Sequence, residues 1–251
     1  MTRRLIFAAN WKMHHGPTAA REFLERFLPI VPPQRDRTLW FFPPAPSIAV
    51  TAGLLRNRSD AHTGAQNIYW ESKGAFTGEM SADIARDAGA DGALVGHSER
   101  RHGCGETDEE AGRKVRAALD AGLTPMLCVG EKLEEREAGR TEAVCIRQLR
   151  AGLDGVGVEE LNRVLVAYEP VWAIGTGKNA TPADAAAVHE GLREELEKLG
   201  ASESAILYGG SVNLGNVREL VAEPEVDGVL VGGASLDPVK WAELVAAGSP
   251  G

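Results

Sequence analysis

Lys12, His97 and Glu169 are the residues of this sequence whose types and settings could do chemistry. Each follows a short apolar run that is typical of a buried strand. A carboxylate can take a proton from a carbon next to a carbonyl group when nearby donors stabilise the resulting oxyanion. This set therefore predicts proton transfer, with Glu169 as the base and Lys12 and His97 as electrophiles. Returning the proton to the neighbouring carbon would interconvert a ketose and an aldose.

Each of these residues also has a simpler interpretation. Lys12 could be a solvated lysine after a strand, and His97 a structural histidine bonded to backbone. Glu169 could lie in an exposed loop, but the apolar residues 171–174 are unusual for a freely solvated loop. For His97, we expect Ser98 to cap a short helix, whose positive N-terminal end keeps the imidazole neutral.

The segment after Glu169 has the composition of a lid. The rigid Pro170 follows the carboxylate directly, and Gly175 and Gly177 give the loop freedom to move. Removal of a proton next to the carbonyl leaves an enediolate, which in a phosphorylated sugar could lose phosphate. A lid that excludes water would protect this intermediate. The sequence therefore predicts a base that moves together with a closing loop.

Glycine pairs follow the last two predicted strands, at Gly209-Gly210 and Gly232-Gly233. Glycines at such ends let backbone amides approach an anion, and barrels of repeated strand–helix units commonly bind phosphate there. One pair alone could serve any tight turn, whereas two after neighbouring strands favour an anion site. The formal net charge of -9 argues against a broad basic surface for nucleic acid or anionic lipid. An anionic substrate is therefore expected to be held locally.

The cysteines and the apolar runs of the sequence indicate where in the cell the protein is expected. Three cysteines, Cys104, Cys128 and Cys145, are an odd number without CxxC spacing, which argues against a disulfide framework or a zinc site. The apolar run near the N-terminus is broken at Asn10 and is too short for a signal-peptide core. No stretch reaches about 18 apolar residues, so we expect a cytoplasmic protein without a membrane span.

Eight predicted strands alternate with helical patterns, and no linker divides the chain, so we expect one domain over residues 1–251. The strands are predicted at Leu5–Ala9, Thr38–Phe42, His62–Gln66, Ala93–Gly96, Pro125–Val129, Val164–Tyr168, Ala205–Tyr208 and Gly228–Val231. Repeated strand–helix units imply a parallel sheet, and eight of them in this length predict a closed (β/α)₈ barrel of the α/β class. An open doubly wound sheet is the rival, but it usually carries a GxGxxG turn where this chain has Asn10-Trp11-Lys12.

The helical patterns differ in strength. Thr107 and Glu110 predict a capping box, and Thr181 with Pro182 predicts a helix that runs to Gly200. Weaker patterns cover residues 21–27, 47–57, 217–221 and 241–247. In the first strand, alternation places Asn10 and Lys12 on the face that leads to the barrel mouth, and Trp11 on the face that packs on helices.

Five segments, in this order and spacing, resemble the triosephosphate isomerase family over nearly the whole chain. They are Asn10–Met13, Gly74–Glu79, Gly96–Arg101, Ala167–Lys178 and Tyr208–Val212. The resemblance implies an isomerase of triose phosphates in glycolysis and gluconeogenesis, without a cofactor or metal. It also implies that Glu169 is the base, His97 shuttles a proton, Lys12 polarises the carbonyl, Asn10 supports the oxyanion and Glu99 pairs with Lys12.

The family resemblance further assigns the phosphate site, the lid and the assembly. The phosphate would meet the amides of Gly175, Ser211, Gly232 and Gly233. The lid would comprise Pro170, Val171, Trp172, Ala173, Ile174, Gly175, Thr176, Gly177, Lys178, Asn179 and Ala180, with Asn179 where the family commonly has Thr or Val. Cys128 would pack near the base. The long loop from Gln66 to Glu79 carries Trp70 and Phe76 and could be a floppy insertion. The resemblance instead implies a homodimer arm in which Thr77 enters the partner near its active site.

Two other functions remain open at this point. Another phosphate-binding barrel, such as an isomerase of phosphoribosyl compounds, would explain the glycine pairs but not Lys12, His97 and Glu169 together. A catalytically silent binding protein on the same fold would be expected to lack at least one of the catalytic residues, and none is missing here.

Overall fold

A computed structural model describes residues 4–173 and 180–249 of the chain. Eight strands close into a parallel barrel in sequence order. They are β1 Leu5–Asn10, β2 Arg37–Phe42, β3 Ala61–Ala65, β4 Gly92–Val95, β5 Thr124–Val129, β6 Leu165–Tyr168, β7 Ile206–Tyr208 and β8 Gly228–Val231. Strand β1 pairs with β2 and also with β8, which closes the sheet. The predicted barrel is therefore confirmed, and the open doubly wound sheet is excluded.

Eleven α-helices lie along the described residues. They are α1 Pro17–Phe27, α2 Ile48–Leu55, α3 Ala82–Asp87, α4 Ser98–Gly103, α5 Asp108–Asp120, α6 Leu133–Glu137, α7 Thr141–Leu153, α8 Val158–Leu161, α9 Pro182–Leu199, α10 Val217–Ala222 and α11 Pro238–Gly248. None of the described helices is long and apolar enough to cross a membrane. The helices that connect strands return the chain to the start of the next parallel strand.

The sequence signals at helix ends are confirmed at the two strongest positions. Thr107 and Glu110 form a reciprocal capping box at the start of α5. Helix α9 begins with Thr181 as its cap and Pro182 in its first turn, and it ends at Gly200, whose φ is 87°. Such caps satisfy backbone groups that the helix leaves unpaired, so they fix where each helix begins and ends.

Two apolar clusters account for the alternation along the strands. The barrel interior holds ten buried residues, which are Ile6, Ala8, Trp40, Phe42, Leu94, Met126, Cys128, Ala167, Leu207 and Leu230. The opposite faces of the strands pack on the helices in a larger cluster that includes Phe7, Ala9 and Trp11. The prediction that alternate residues of β1 face the barrel interior and the surrounding helices is therefore confirmed. Gly64 and Gly92 leave the interior space that the rings of Phe42 and Trp40 occupy.

Seven of the eight strands differ from their predicted bounds by one residue at one or both ends, and β8 matches its prediction. The fourth strand ends at Val95 rather than Gly96, because Gly96 has a φ of 69°, which the β conformation excludes. The first strand continues to Asn10, whose Cα is paired with that of Phe42. These shifts leave the carboxyl ends of all eight strands at one rim of the barrel.

Candidate active site

A cavity of about 380 Å³ opens at the carboxyl ends of the strands. Most of the predicted site residues line it, and these are Asn10, Lys12, His97, Glu169, Ser211, Gly232 and Gly233. They follow β1, β4, β6, β7 and β8 and are remote from one another in the sequence. The closed barrel therefore brings together the carboxylate, the imidazole, the ammonium and both glycine-rich turns.

The backbone of Lys12 is in an unusual conformation that two neighbours, Asn10 and Gln66, hold in place. Its φ is 50°, in the left-handed region that non-glycine residues rarely adopt. The Lys12 amide donates to Oδ1 of Asn10 at 3.0 Å, and its carbonyl accepts from Nε2 of Gln66 at 2.7 Å. The same Gln66 nitrogen donates to the carbonyl of Phe42 at 2.8 Å. Gln66 thus fixes the ends of β1 and β2 around Lys12.

Sequence reasoning did not identify Gln66 as a residue of the site. The available signal was its position directly after β3, at the rim where the other functional residues lie. Its contacts to two carbonyl groups depend on the pairing of β1, β2 and β3 and could not be read from local sequence.

The Lys12 ammonium lies between Glu99 and the turn after β8. Its Nζ atom donates to Oε1 of Glu99 at 2.6 Å, which brings the predicted pair together. A Cβ at Gly232 would lie 2.9 Å from Cε of Lys12, so a side chain there would displace the end of the lysine. The cation is therefore held beside the glycine turn of the cavity.

His97 caps helix α4, where we had expected Ser98 in that role. The Glu99 amide donates to Nδ1 of His97 at 3.2 Å, and Ser98 is the first residue of the helix. A nitrogen that accepts a hydrogen bond carries no proton, so the ring proton of a neutral His97 is on Nε2. Nε2 lies 2.9 Å from Oε1 of Glu169 and 3.2 Å from Nδ2 of Asn10. The bond at Nδ1 fits the expected neutral imidazole, whereas the Glu169 carboxylate favours the charged ring as long as it stays in contact with Nε2.

Glu169 is buried and uses both of its carboxylate oxygens in hydrogen bonds. Oε2 accepts from the Ser98 amide at 2.8 Å, and Oε1 lies against the His97 ring. Burial raises the pKa of Glu169, but His97 and the Ser98 amide lower it by more, so the net direction is downward. For His97, burial lowers the pKa, but the carboxylates of Glu169 and Glu99 together raise it by more, so the net direction is upward. The carboxylate is therefore ionised and must leave these partners before it can accept a proton.

The end of β4, which carries His97, is fixed by charged side chains below the cavity. Gly96 donates its amide to Oε1 of Glu106 at 2.9 Å and accepts at its carbonyl from Arg101 at 2.7 Å. Arg101 also donates to the carbonyl of Cys128 at 3.2 Å, which links β4 to β5. These bonds hold the backbone next to His97 on both sides.

Cys128 lies inside the barrel and close to the base. It is fully buried, and burial raises the pKa of its thiol well above the ordinary value. A thiol that stays protonated is a poor nucleophile. The arrangement fits the expectation that Cys128 has a packing role.

The described part of the predicted lid is attached to the barrel by Glu131. The indole nitrogen of Trp172 donates to Oε1 of Glu131 at 2.8 Å, and the Tyr168 hydroxyl donates to the same oxygen at 3.2 Å. Pro170, Ala173 and Ala180 are buried. Ile174, Gly175, Thr176, Gly177, Lys178 and Asn179, which include the predicted phosphate contact at Gly175, lie outside the described residues.

The turn after β8 offers backbone donors to the cavity. Residues Gly233–Ser235 form one turn of 3-10 helix, preceded by Gly232. The first amides of a helical turn have no acceptor within it, so they are available to an anion. Ser211 lines the same cavity from the turn after β7. This region thus combines amide donors with the Lys12 ammonium.

Comparison with known proteins agrees with these features. The family model described as triosephosphate isomerase matches residues 5–248. The triosephosphate isomerase of Symbiobacterium thermophilum is 47% identical over 98% of this chain and 97% of its own length. Those of Solibacter usitatus and Aquifex aeolicus are 44% and 46% identical over 97% of this chain, and the matches cover 99% and 98% of their lengths.

Proposed function

As the chain belongs to the triosephosphate isomerase family, we propose that it interconverts dihydroxyacetone phosphate and glyceraldehyde 3-phosphate. The observation that carries this proposal is that Glu169, His97 and Lys12 line one cavity together with Gly232 and Gly233. A carboxylate base, two donors for an oxyanion and a set of phosphate-binding amides are the parts that an aldose–ketose isomerisation of a phosphorylated triose requires.

The reaction proceeds through an enediolate. The Glu169 carboxylate takes a proton from the carbon that bears the hydroxyl group next to the carbonyl. Lys12 and the Nε2 proton of His97 stabilise the negative charge that develops on the carbonyl oxygen, and Asn10 supports it. His97 then moves a proton between the two enediolate oxygens, and Glu169 returns its proton to the neighbouring carbon. Atoms balance without a co-reactant, so no cofactor or metal is proposed.

The base changes position during this cycle. Glu169 is bonded to Ser98 and His97 in the structure, and turning away from them frees Nε2 of His97 for a substrate oxygen. The predicted lid begins at the next residue, Pro170, so lid closure and carboxylate movement are proposed to be one event. The lid comprises residues 170–180. Its closure excludes water and protects the enediolate from loss of phosphate.

The phosphate group is proposed to bind the amides of Gly175, Ser211, Gly232 and Gly233, with Lys12 beside it. Glu99 pairs with Lys12 and orients the ammonium. Because the chain carries a net charge of -9, this local set of donors supplies the attraction for a dianionic substrate.

We further propose a homodimer. The loop from Gln66 to Glu79 carries an exposed Phe76, and Met13, next to Lys12 in the sequence, is 95% exposed. Exposed apolar groups next to a polar rim are typical of a surface that a partner covers. Within the loop, the Tyr69 and Trp70 rings stack at 4.0 Å and the Arg113 guanidinium lies 4.3 Å from the Trp70 ring centre. The proposed partner of this preformed loop is a second copy, which receives Thr77 near its site.

The remaining assignments follow from the family and the composition. The chain is proposed to act as a single domain over residues 1–251 in the cytoplasm, in glycolysis and gluconeogenesis. It is proposed to bind neither nucleic acid nor membranes, since its net charge is -9.

Coupled assays in both directions test the proposed function. The wild type is expected to turn over both triose phosphates and to be inhibited by phosphoglycolate. Glu169→Gln should lower kcat by about 10²- to 10⁴-fold, the usual contribution of a general base. Glu219→Gln, a change at an exposed carboxylate on α10, is the matched control and should stay active. A wild type inactive on both substrates would refute the function, and near-normal kcat in Glu169→Gln would refute the assigned base.

A further inference from the structure

Two non-glycine residues in the described ranges have a left-handed backbone, and both lie in the loop after β1. Lys12 has a φ of 50° and His15 a φ of 60°. Such residues cost free energy and persist only where neighbours hold them, often at functional sites. The contacts of Lys12 belong to the site already described. The conformation of His15 needs its own explanation.

The His15 ring reaches across to the turn after β8. Its Nε2 atom lies 3.0 Å from the carbonyl oxygen of Leu236, and since a carbonyl only accepts, Nε2 carries the proton. Leu236 directly follows the turn Gly233–Ser235, and its amide donates back to the carbonyl of Gly233 at 3.3 Å. Leu236 also lines the cavity. The hydrogen bond therefore joins the loop that carries Lys12 to the turn that carries the phosphate-binding glycines.

Packing and a second hydrogen bond fix the orientation of His15. Its ring lies edge-on to Trp11 at 5.0 Å and 5.4 Å from the ring of Phe23. The hydroxyl of the fully buried Ser47 donates to the His15 carbonyl at 2.7 Å. The side chain and the backbone of His15 are thus held independently, which is the arrangement expected of a rigid spacer rather than of a loose surface residue.

We propose that His15 is a positioning residue for the phosphate end of the active site. It sets the separation between the Lys12 ammonium and the amides of Gly232 and Gly233, although it does not touch the substrate. This inference rests on the proposed function, because it takes the anion bound at those amides to be the phosphate of a triose. A phosphate that is equally far from the reacting carbons in the ground and transition states contributes uniform binding, so loosening its site raises KM more than it lowers kcat.

Two substitutions separate the hydrogen bond of His15 from its packing. His15→Phe keeps an aromatic ring against Trp11 and Phe23 but removes the donor to Leu236. His15→Gln removes the ring but offers an amide nitrogen near the position of Nε2. Both keep the cost of the left-handed backbone, since neither is glycine. If His15 positions the turn through its hydrogen bond, His15→Gln should keep substrate and phosphate affinity and His15→Phe should lose it. If His15 acts only by packing, the opposite is expected.

The experiment measures kcat and KM for both triose phosphates, the dissociation constant of inorganic phosphate by calorimetry, and Tm. In His15→Phe, KM and the phosphate dissociation constant are expected to rise by about 3- to 10-fold, the equivalent of one lost hydrogen bond, with kcat within about 2-fold. His15→Gln is expected to restore both constants. His62→Phe, in a half-buried histidine that stacks on Trp40 at the other end of the barrel, is the matched control and should change neither constant.

Several results would overturn the inference. Unchanged KM and phosphate affinity in His15→Phe, with a lower Tm alone, would show a purely structural residue. Equal weakening in His15→Phe and His15→Gln would show that packing, not the donor, matters. If His15→Phe does not fold, His15→Asn replaces it, because asparagine accepts the left-handed backbone but is too short to reach Leu236. A wild type that binds phosphate without isomerising triose phosphates would refute the proposed function alone, and the phosphate measurements would still test His15.

Discussion

Glu169 and His97 restrain each other in the structure, and this contact holds the proposed base away from the substrate. The carboxylate lies 2.9 Å from the imidazole and accepts from the Ser98 amide at 2.8 Å. Both contacts favour the charged carboxylate, so the pKa of Glu169 is lowered in spite of its burial. The proposed reaction requires an ionised base. The Glu169 carboxylate can accept a proton from the substrate only after it turns away from His97 and Ser98.

Gly209 leaves the space in which this carboxylate is held, and we predict that Gly209→Ala impairs catalysis. A Cβ at this position would lie 2.9 Å from Cγ of Glu169 and 3.2 Å from the carbonyl of Tyr168. Displacement of the base by about 1 Å can cost about 10²-fold. We therefore expect kcat to fall by about 10- to 100-fold with a smaller change in KM, as measured by steady-state kinetics.

Gly53→Ala is the control for Gly209→Ala. Gly53 lies in α2, and a Cβ added there would meet no atom within 4 Å. Its kinetics should match those of the wild type. A Gly209→Ala variant with wild-type kcat would mean that Glu169 adapts without cost, and that the glycine has no role in positioning the base.

At the scale of elements, the sequence predicted which strand each functional residue follows but not how neighbouring strand ends hold one another. Period-two alternation was sufficient for β1, because Asn10 continues the inward face and Trp11 the outward face. The contacts of Gln66 to Lys12 and of His15 to Leu236 join residues 54 and 221 positions apart. The first contact needs the pairing of β1, β2 and β3, and the second needs the closure of the barrel between β1 and β8, so local patterns contain no signal for either.

The left-handed conformations of Lys12 and His15 were unpredictable for a related reason. Sequence patterns predict a left-handed backbone mainly at glycine, and neither Lys12 nor His15 is a glycine. Tertiary hydrogen bonds impose it in both cases. The cap of α4 was likewise misassigned to Ser98, because serine is a common cap whereas the use of a histidine nitrogen depends on the tautomer and ring orientation of His97.

Helix α9 contains a buried histidine that should make stability depend on pH. His189 is fully buried, donates from Nδ1 to the Glu225 carbonyl at 3.0 Å, and has no partner for Nε2 among the described residues. Burial lowers its pKa from 6.5 to about 4. Below pH 6.5, His189 therefore binds a proton in the unfolded chain but does not bind one in the folded chain until about pH 4. The free energy of unfolding thus decreases as the pH is lowered from 6.5 to about 4.

We predict that this histidine removes about 2 kcal/mol from the free energy of unfolding between pH 7 and pH 5. Urea denaturation at fixed protein concentration measures the change. His189→Phe lacks the titrating group and should lose correspondingly less over the same interval. Equal losses in the two proteins would show that the buried environment does not exclude the proton.

For the molecule as a whole, the proposed dimer would cover the exposed Phe76 of the loop from Gln66 to Glu79. Sedimentation at micromolar concentration should give a mass twice the 26.7 kDa of the chain. Replacing Phe76 by Glu places a charge where the partner is proposed to dock and should yield monomers with reduced turnover. The control is Val158→Glu, a change at an exposed apolar residue on α8. A wild type that is monomeric and fully active would contradict the dimer.

Glu169 is proposed to carry the proton between the two carbons, and isomerisation in D₂O reports on this transfer. A carboxylic acid proton exchanges with solvent, so during turnover deuterium should enter the carbon to which Glu169 returns the proton. Mass spectrometry or NMR of the triose phosphates is expected to detect this label with the wild type, and Glu169→Gln should lose both the label and the interconversion. Wild-type turnover with all carbon-bound hydrogen retained, or undiminished labelling by Glu169→Gln, would show that Glu169 does not carry the proton.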